Sequence, residues 1–201
     1  ATELMEKYLH FHNFLLVIIS GIVFFVLVLL VYVCIRFSKK NNPIPSKTSH
    51  NTLLEIIWTS IPIVILAIIA IPSIRILYFQ NEIKDPELTL KVVGHQWYWE
   101  YIYPDNGGFS FDSYLIKDED LKPGDKRLLE VDNQVILPIN TNIRVIFTSA
   151  DVLHNWAMPS FGIKTDTIPG RLNEAWFNIK KQGTYYGQCS ELCGVNHGFM
   201  P

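Results

Sequence analysis

Residues 14–35 form an apolar run interrupted only by Ser20 and Gly21, and Cys34 near its end does not break it. No other feature restricts the fold as much. About 20 such residues cross the hydrocarbon core of a bilayer, and a backbone in lipid must satisfy its own hydrogen bonds. A second run, residues 56–79, contains Pro62, Pro72 and Arg75. Membrane helices tolerate proline because neighbouring groups recover the freed carbonyls. The sequence therefore predicts a two-helix transmembrane hairpin, with spans at about 14–35 and 56–79, within an N-terminal segment of residues 1–81. A cleavable signal peptide fits less well: the first apolar core is too long, no small-residue cleavage site follows, and the basic residues come after it. The connecting loop, 36–55, holds Arg36, Lys39, Lys40 and Lys47 against Glu55 alone. Such a loop stays on the inner side, which puts both termini on the outer face.

Beyond Phe79 the pattern changes to short alternating runs at 88–93, 128–131, 143–148 and 175–179, which predict strands. Breakers at 105–108 (DNGG), 122–125 (KPGD) and 169–170 (PG) separate them. Residues 82–201 are the size of one all-β sandwich, and no long amphipathic helix interrupts them. No internal repeat, low-complexity tract or phosphate-binding glycine motif is present, which leaves nucleotide chemistry without a foothold.

Charge divides at the same boundary. Residues 82–201 carry 16 acidic against 11 basic side chains, a net −5, whereas residues 1–81 carry 3 against 6, a net +3. An acidic outer domain suits a basic protein partner and repels nucleic acid, although the same charge also serves plain solubility.

Only three cysteines occur, and two of them, Cys189 and Cys193, lie in the closing stretch GQCSELCGVNHGFMP (187–201). In an outer domain such a pair could close a disulfide. Its neighbours point elsewhere. His197 follows Cys193 by four residues and Met200 follows His197 by three, so thiolate, imidazole and thioether converge on one loop, the soft mixture that selects copper. Zinc rarely recruits methionine. A mononuclear blue copper site needs one thiolate, and here there are two. The expected second imidazole is His154, in SADVLHNW (149–156), just after an alternating strand.

These residues, with GHQWYW (94–99), FSFDSY (109–114), LLEVDN (128–133), DVLH (151–154) and KTDTIPGR (164–171), resemble the cytochrome c oxidase subunit II family over essentially the whole chain. The resemblance implies a cupredoxin-like Greek-key sandwich at 82–201 that holds a dinuclear copper centre, CuA. Cys189 and Cys193 would bridge, His154 and His197 would be terminal, Met200 weakly bound, and the Glu191 backbone carbonyl would complete the set. It also implies a magnesium ion shared with the catalytic subunit, within reach of the Glu191 carboxylate. Implied partners are cytochrome c, a haem-bearing catalytic subunit I with other oxidase subunits, and the lipid bilayer of a mitochondrial inner membrane or bacterial plasma membrane. The family continues past the methionine with a further strand, whereas this chain stops at Pro201 and lacks an initiator methionine, the ends expected of a fragment or processed chain.

Taken alone, the aromatic cluster 97–101 (WYWEY) reads as core or interfacial belt. The resemblance instead makes Trp97 the place where electrons from cytochrome c enter. Asp112, Asp132 and Asp151 would form an acidic docking face. Glu55, which alone reads as a solvated acid, would open a proton pathway into the catalytic subunit. His10, His12 and His50 receive no ligand role, His95 is expected to pack near Trp97, and Cys34 is an inert apolar residue. Two other functions compete. A copper carrier would have no use for Trp97 in acidic surroundings, and a thiol oxidoreductase normally spaces its cysteines one residue closer.

Overall fold

The computed structural model describes residues 1–83 and 85–201, and it divides into two compact units. One is Leu9–Ile76; the other joins Ala1–Tyr8 to Leu77–Pro201.

Two helices supply the first unit, α1 (Glu3–Arg36) and α2 (Thr52–Asn81). Both run past the predicted spans because polar flanking residues cap them. The Thr2 hydroxyl accepts from the Met5 amide at 3.1 Å and Asn51 Oδ1 accepts from the Leu54 amide at 3.1 Å. Glu3 and Glu6 in the first turn of α1, and Arg36 in its last, complement the helix dipole. Their surfaces are apolar all round rather than on one stripe: Phe24 is 69% exposed and Leu66 is 65% exposed. A helix of that kind is stable only in an apolar surround. Pro62 and Pro72 lie inside α2 without ending it.

The other unit is a two-layered β structure. Strands β1 (Leu88–His95), β2 (Tyr98–Tyr103), β3 (Phe109–Ser113), β4 (Asn142–Ser149) and β7 (Asn173–Asn178) form one sheet in the order β3-β2-β1-β4-β7. Strands β5 (His154–Met158) and β6 (Ile163–Thr167) form an antiparallel ribbon. The central pair β1 and β4 is parallel, Leu88 opposite Ile143 through Gly94 opposite Ser149, and the other pairings are antiparallel. Along β4 every second residue is buried, and Ile143, Val145 and Phe147 are fully so. Trp156 of the ribbon packs against Phe147 and lies parallel to Phe177. Each such side chain contributes about 1.5–3 kcal/mol by leaving water.

The run 128–131 is not a strand. Leu128 takes φ 66°, the amides of Leu129 and Glu130 turn back onto the Lys126 carbonyl, and Val131 makes a single bridge to Leu115. The reason lies in Glu130, which is buried and fastened to the Tyr186 hydroxyl at 2.8 Å, so its carboxylate is satisfied in a turn and not on a pleated face. The N-terminus joins this unit directly. The Ala1 ammonium donates to the Ser160 carbonyl, the Thr2 hydroxyl donates to that of Phe161, and Thr2 bridges Ile179.

Candidate metal centre

Three segments meet at one end of the β structure: the turn between β1 and β2, the turn from β4 into β5, and the closing loop 187–200. Backbone hydrogen bonds lock them. The Ala150 amide donates to the Gly94 carbonyl, the Ser190 amide to that of Asn155, and the Cys189 amide to that of Met200 at 2.8 Å. Gly187 starts the closing loop in contact with the Ala157 carbonyl, a position where a β-carbon has no room.

His154, Cys189 and Cys193 are buried, and their ligating atoms lie within 4.8 Å of one another. The sulfurs stand 3.8 Å apart as free thiols; a disulfide would bring them to about 2 Å. An ion about 2.3 Å from each sulfur fits that separation. Cys189 Sγ lies 4.0 Å from His154 Nδ1 and 3.3 Å from the Glu191 carbonyl oxygen, and Cys193 Sγ lies 3.6 Å from His197 Nδ1. Met200 is 1% exposed in the same loop. The donor set, two sulfurs, two imidazoles, a carbonyl and a buried methionine, therefore fits a soft metal.

The electrostatics divide the two thiols. Burial raises the Cys189 thiol, but hydrogen bonding to the His154 imidazole, to the Asn155 and Glu191 backbone and to His197 outweighs it and makes Cys189 the readily ionised sulfur. Burial and the neighbouring Cys189 charge hold Cys193 protonated. A metal that takes both sulfurs must displace the Cys193 proton, so its affinity rises with pH.

Asp151 sits beneath His154. Its Oδ1 accepts from His154 Nε2 at 2.8 Å and from the Val152 amide at 2.6 Å, and its Oδ2 accepts from the Gln96 amide at 2.7 Å. Burial raises the carboxyl, yet bonds from His154, Val152 and Gln96 bring it below its ordinary value. The same contact, with Cys189, lifts His154 above its ordinary value against the opposing effect of burial. Trp97, half-buried, donates its Nε1 to the Cys193 carbonyl at 3.2 Å, and Gln96 Nε2 donates to that same oxygen at 2.8 Å. The Trp97 indole also lies against Gly194.

The remaining predicted residues lie elsewhere. Asp132 is exposed, and its Oδ1 accepts from the Tyr114 and Asn133 amides; Asp112 accepts from the Tyr114 hydroxyl at 3.4 Å. Glu55 is half-buried in the first turn of α2, outside the cluster, and the Glu191 side chain is exposed. His95 stacks on Tyr98 at 4.5 Å and faces Glu100 at 3.3 Å, so its partners are these and not Trp97. Trp99, fully buried, meets His154 edge-on at 5.9 Å.

Sequence reasoning left out Gln96, Asn155 and Gly94. Gly94 carried a readable signal, since glycine inside a strand often marks a close approach. A β-carbon there would sit 2.8 Å from His154 Cδ2 and 3.0 Å from Thr167 Oγ1. Because both neighbours are fully buried, Gly94→Ala is expected to displace the imidazole, destabilise the domain by about 1–3 kcal/mol and weaken metal retention. Thermal melting and metal titration check this; an unchanged melting point and affinity would show that the ribbon yields freely.

Comparison with known proteins agrees with this arrangement. Residues 88–201 match the family described as cytochrome c oxidase subunit II, periplasmic domain, and residues 1–76 match its transmembrane domain. A probable cytochrome c oxidase subunit 2 of Rickettsia felis is 59% identical over all 201 residues, which cover 64% of that protein. The chain thus spans slightly less than two thirds of this relative's length. Cytochrome c oxidase subunit 2 of Phytophthora megasperma is 52% identical over the whole chain and 77% of its own length. The crystal structure of the periplasmic domain of subunit II of cytochrome oxidase (CoxB) of Bradyrhizobium japonicum superposes with a TM-score of 0.55 at 55% identity, over 59% of this chain and 83% of that one. With two apolar helices, a β domain and a buried Cys-His cluster all in the matched regions, the chain belongs to the cytochrome c oxidase subunit II family.

Proposed function

We propose that this chain is the electron-accepting subunit of a cytochrome c oxidase, taking electrons from reduced cytochrome c at a dinuclear CuA centre and passing them to haem in the catalytic subunit. Oxygen reduction, coupled to proton pumping, belongs to that partner. The observation that carries this reading is the meeting of Cys189, Cys193, His154 and His197 directly behind Trp97. In this reading Cys189 and Cys193 would be the ligands shared by the copper pair, His154 and His197 would be terminal ligands, Met200 a weak one, and the Glu191 carbonyl would complete the set. When bound, the copper pair supplies a one-electron relay with its charge spread over both metals and both sulfurs.

The chain's own groups do the rest. Trp97 receives the electron at the surface, and its hydrogen bond to the Cys193 carbonyl gives a path that runs through that one bond and then the covalent bonds of Cys193 to its sulfur. Asp151 fixes the His154 ring, and the buried surround excludes water and limits movement of the donors. Asp112 and Asp132, with Asp151, present negative charge to a basic partner. Glu55 opens a proton path, and the exposed Glu191 carboxylate is free to meet magnesium at the catalytic subunit. Both termini and the copper domain lie on the outer side of a mitochondrial inner or bacterial plasma membrane; the membership of Ala1–Tyr8 in the same unit as the β domain supports a common side.

Metal analysis of the full chain in detergent tests the reading. Copper should bind at close to two ions per chain, with the Cys189 and Cys193 thiols no longer titratable. A ratio near one, or a Cys189–Cys193 disulfide that persists in the copper-loaded chain, would reject it.

A further inference from the structure

Asp151 entered as one of several surface acids, but the structure places it at a junction. Its side chain is 31% exposed while the imidazole it holds is 0% exposed. One carboxylate oxygen accepts from His154 Nε2 and the other from the Gln96 amide. Gln96 in turn donates its side-chain amide to the Cys193 carbonyl, which Trp97 Nε1 also reaches. A closed ring of contacts results: Cys189 to His154, to Asp151, to Gln96, to the Cys193 carbonyl, and from Cys193 Sγ back to Cys189. The Ser149 hydroxyl lies 3.3 Å from Asp151 Oδ1, and the Val152 amide holds the same oxygen, so the carboxylate has little rotational freedom.

We propose that Asp151 is a positioning residue that sets both halves of the site at once, the tautomer and orientation of His154 and the placement of the Gln96-Trp97 turn over Cys193. A neutral imidazole that donates from Nε2 to a carboxylate carries its one proton there, and the lone pair at Nδ1 then faces Cys189; a second proton at Nδ1, the one that hydrogen-bonds a Cys189 thiolate, makes the ring an imidazolium. Without the carboxylate a buried neutral imidazole would populate both tautomers. The Gln96 amide would lose its acceptor, and the turn that carries Trp97 would lose one of its ties to the turn between β4 and β5. The surface charge of Asp151 is a separate property from this one. The inference rests on the copper reading only in naming the ion that Nδ1 faces.

The test uses the full chain in detergent, labelled with 15N-histidine, with His154 assigned by the loss of its signals in His154→Gln. In the metal-free, reduced parent, at a pH high enough to leave the ring neutral, His154 should be a single tautomer protonated at Nε2. Asp151→Ala should mix the tautomers, shift Trp97 fluorescence and lower copper affinity by about 10- to 100-fold, the usual effect of removing such a partner. Asp151→Asn keeps an acceptor oxygen for His154 and the Val152 amide but gives up the one that the Gln96 amide uses, so it should restore the single tautomer while lacking the charge and leaving the Trp97 shift in place. Should Asp151→Ala fail to fold, Asp151→Ser, whose hydroxyl is too short to reach His154, gives the same comparison. Unchanged His154 signals in the Ala or Ser variant would overturn the proposal, as would an Asn variant indistinguishable from Ala, which would leave charge alone as the role. A parent chain that takes up no copper pair overturns the copper reading instead, and the tautomer comparison, made without metal, still decides the role of Asp151.

Discussion

Cys189→Ser is expected to abolish the copper pair. Cys189 is the sulfur with the most neighbours in the cluster: His154 Nδ1 at 4.0 Å, Cys193 Sγ at 3.8 Å and the Glu191 carbonyl at 3.3 Å. A hydroxyl is a hard donor that stays protonated at neutral pH, so it cannot replace a bridging thiolate to a soft metal. The fold should survive. The Cys189 backbone amide, which ties the loop to the Met200 carbonyl, is untouched, and serine can still donate to the Glu191 carbonyl, leaving a cost of about 1–2 kcal/mol. In the parent, one unpaired electron should be shared by both copper nuclei in the electron paramagnetic resonance spectrum. In the variant that pattern should collapse, with affinity lower by two orders of magnitude or more. An unchanged delocalised spectrum in Cys189→Ser would sink the bridging assignment, and circular dichroism would show whether loss of metal came from loss of fold.

How far this site was legible in the sequence depended on the physical kind of signal. The helices announce themselves because lipid demands uninterrupted apolar length, and only their ends, set by Thr2 and Asn51 caps, had to be seen. Strand β4 alternates because one face meets the core, whereas β1 and β7 each bury three residues in a row and were legible from their β-branched and aromatic content. By contrast β5 reads HNWAM and is buried almost throughout, so it has no alternation to detect, while the apolar pair Leu128 and Leu129 suggested a strand where Glu130 anchors a turn. The cysteine loop was readable because its ligands are crowded into 189–200. His154 was found by residue type, but its contact with Asp151 was not: three residues away in sequence, Asp151 read only as surface charge, and only the turn into β5 brings its carboxylate under the ring. Contacts such as Gln96 to the Cys193 carbonyl, across 97 positions, leave no local trace.

Trp97→Phe should separate electron arrival from metal binding. The indole supplies one of two donors to the Cys193 carbonyl, at 3.2 Å, and Gln96 supplies the other at the shorter 2.8 Å. Removing the indole nitrogen therefore leaves that oxygen satisfied, and phenylalanine gives up only the far edge of the indole that lies against Gly194. The cost at this half-buried position should be about 1–2 kcal/mol, too little to release copper from five ligating side chains that Trp97 does not supply. What disappears is the direct bonded route from an oxidisable ring at the surface into the backbone of Cys193. Electron delivery from reduced cytochrome c should fall by orders of magnitude. Association should change little, because Asp112 and Asp132 still draw in the basic partner, and its dependence on ionic strength should match that of the parent. Stopped-flow traces at several salt concentrations, with the copper spectrum recorded on the same samples, read the rate and the control together. Loss of copper alongside loss of rate would make Trp97 a packing residue; delivery at the parental rate would place the point of arrival elsewhere, with the half-buried His197 the next position to probe.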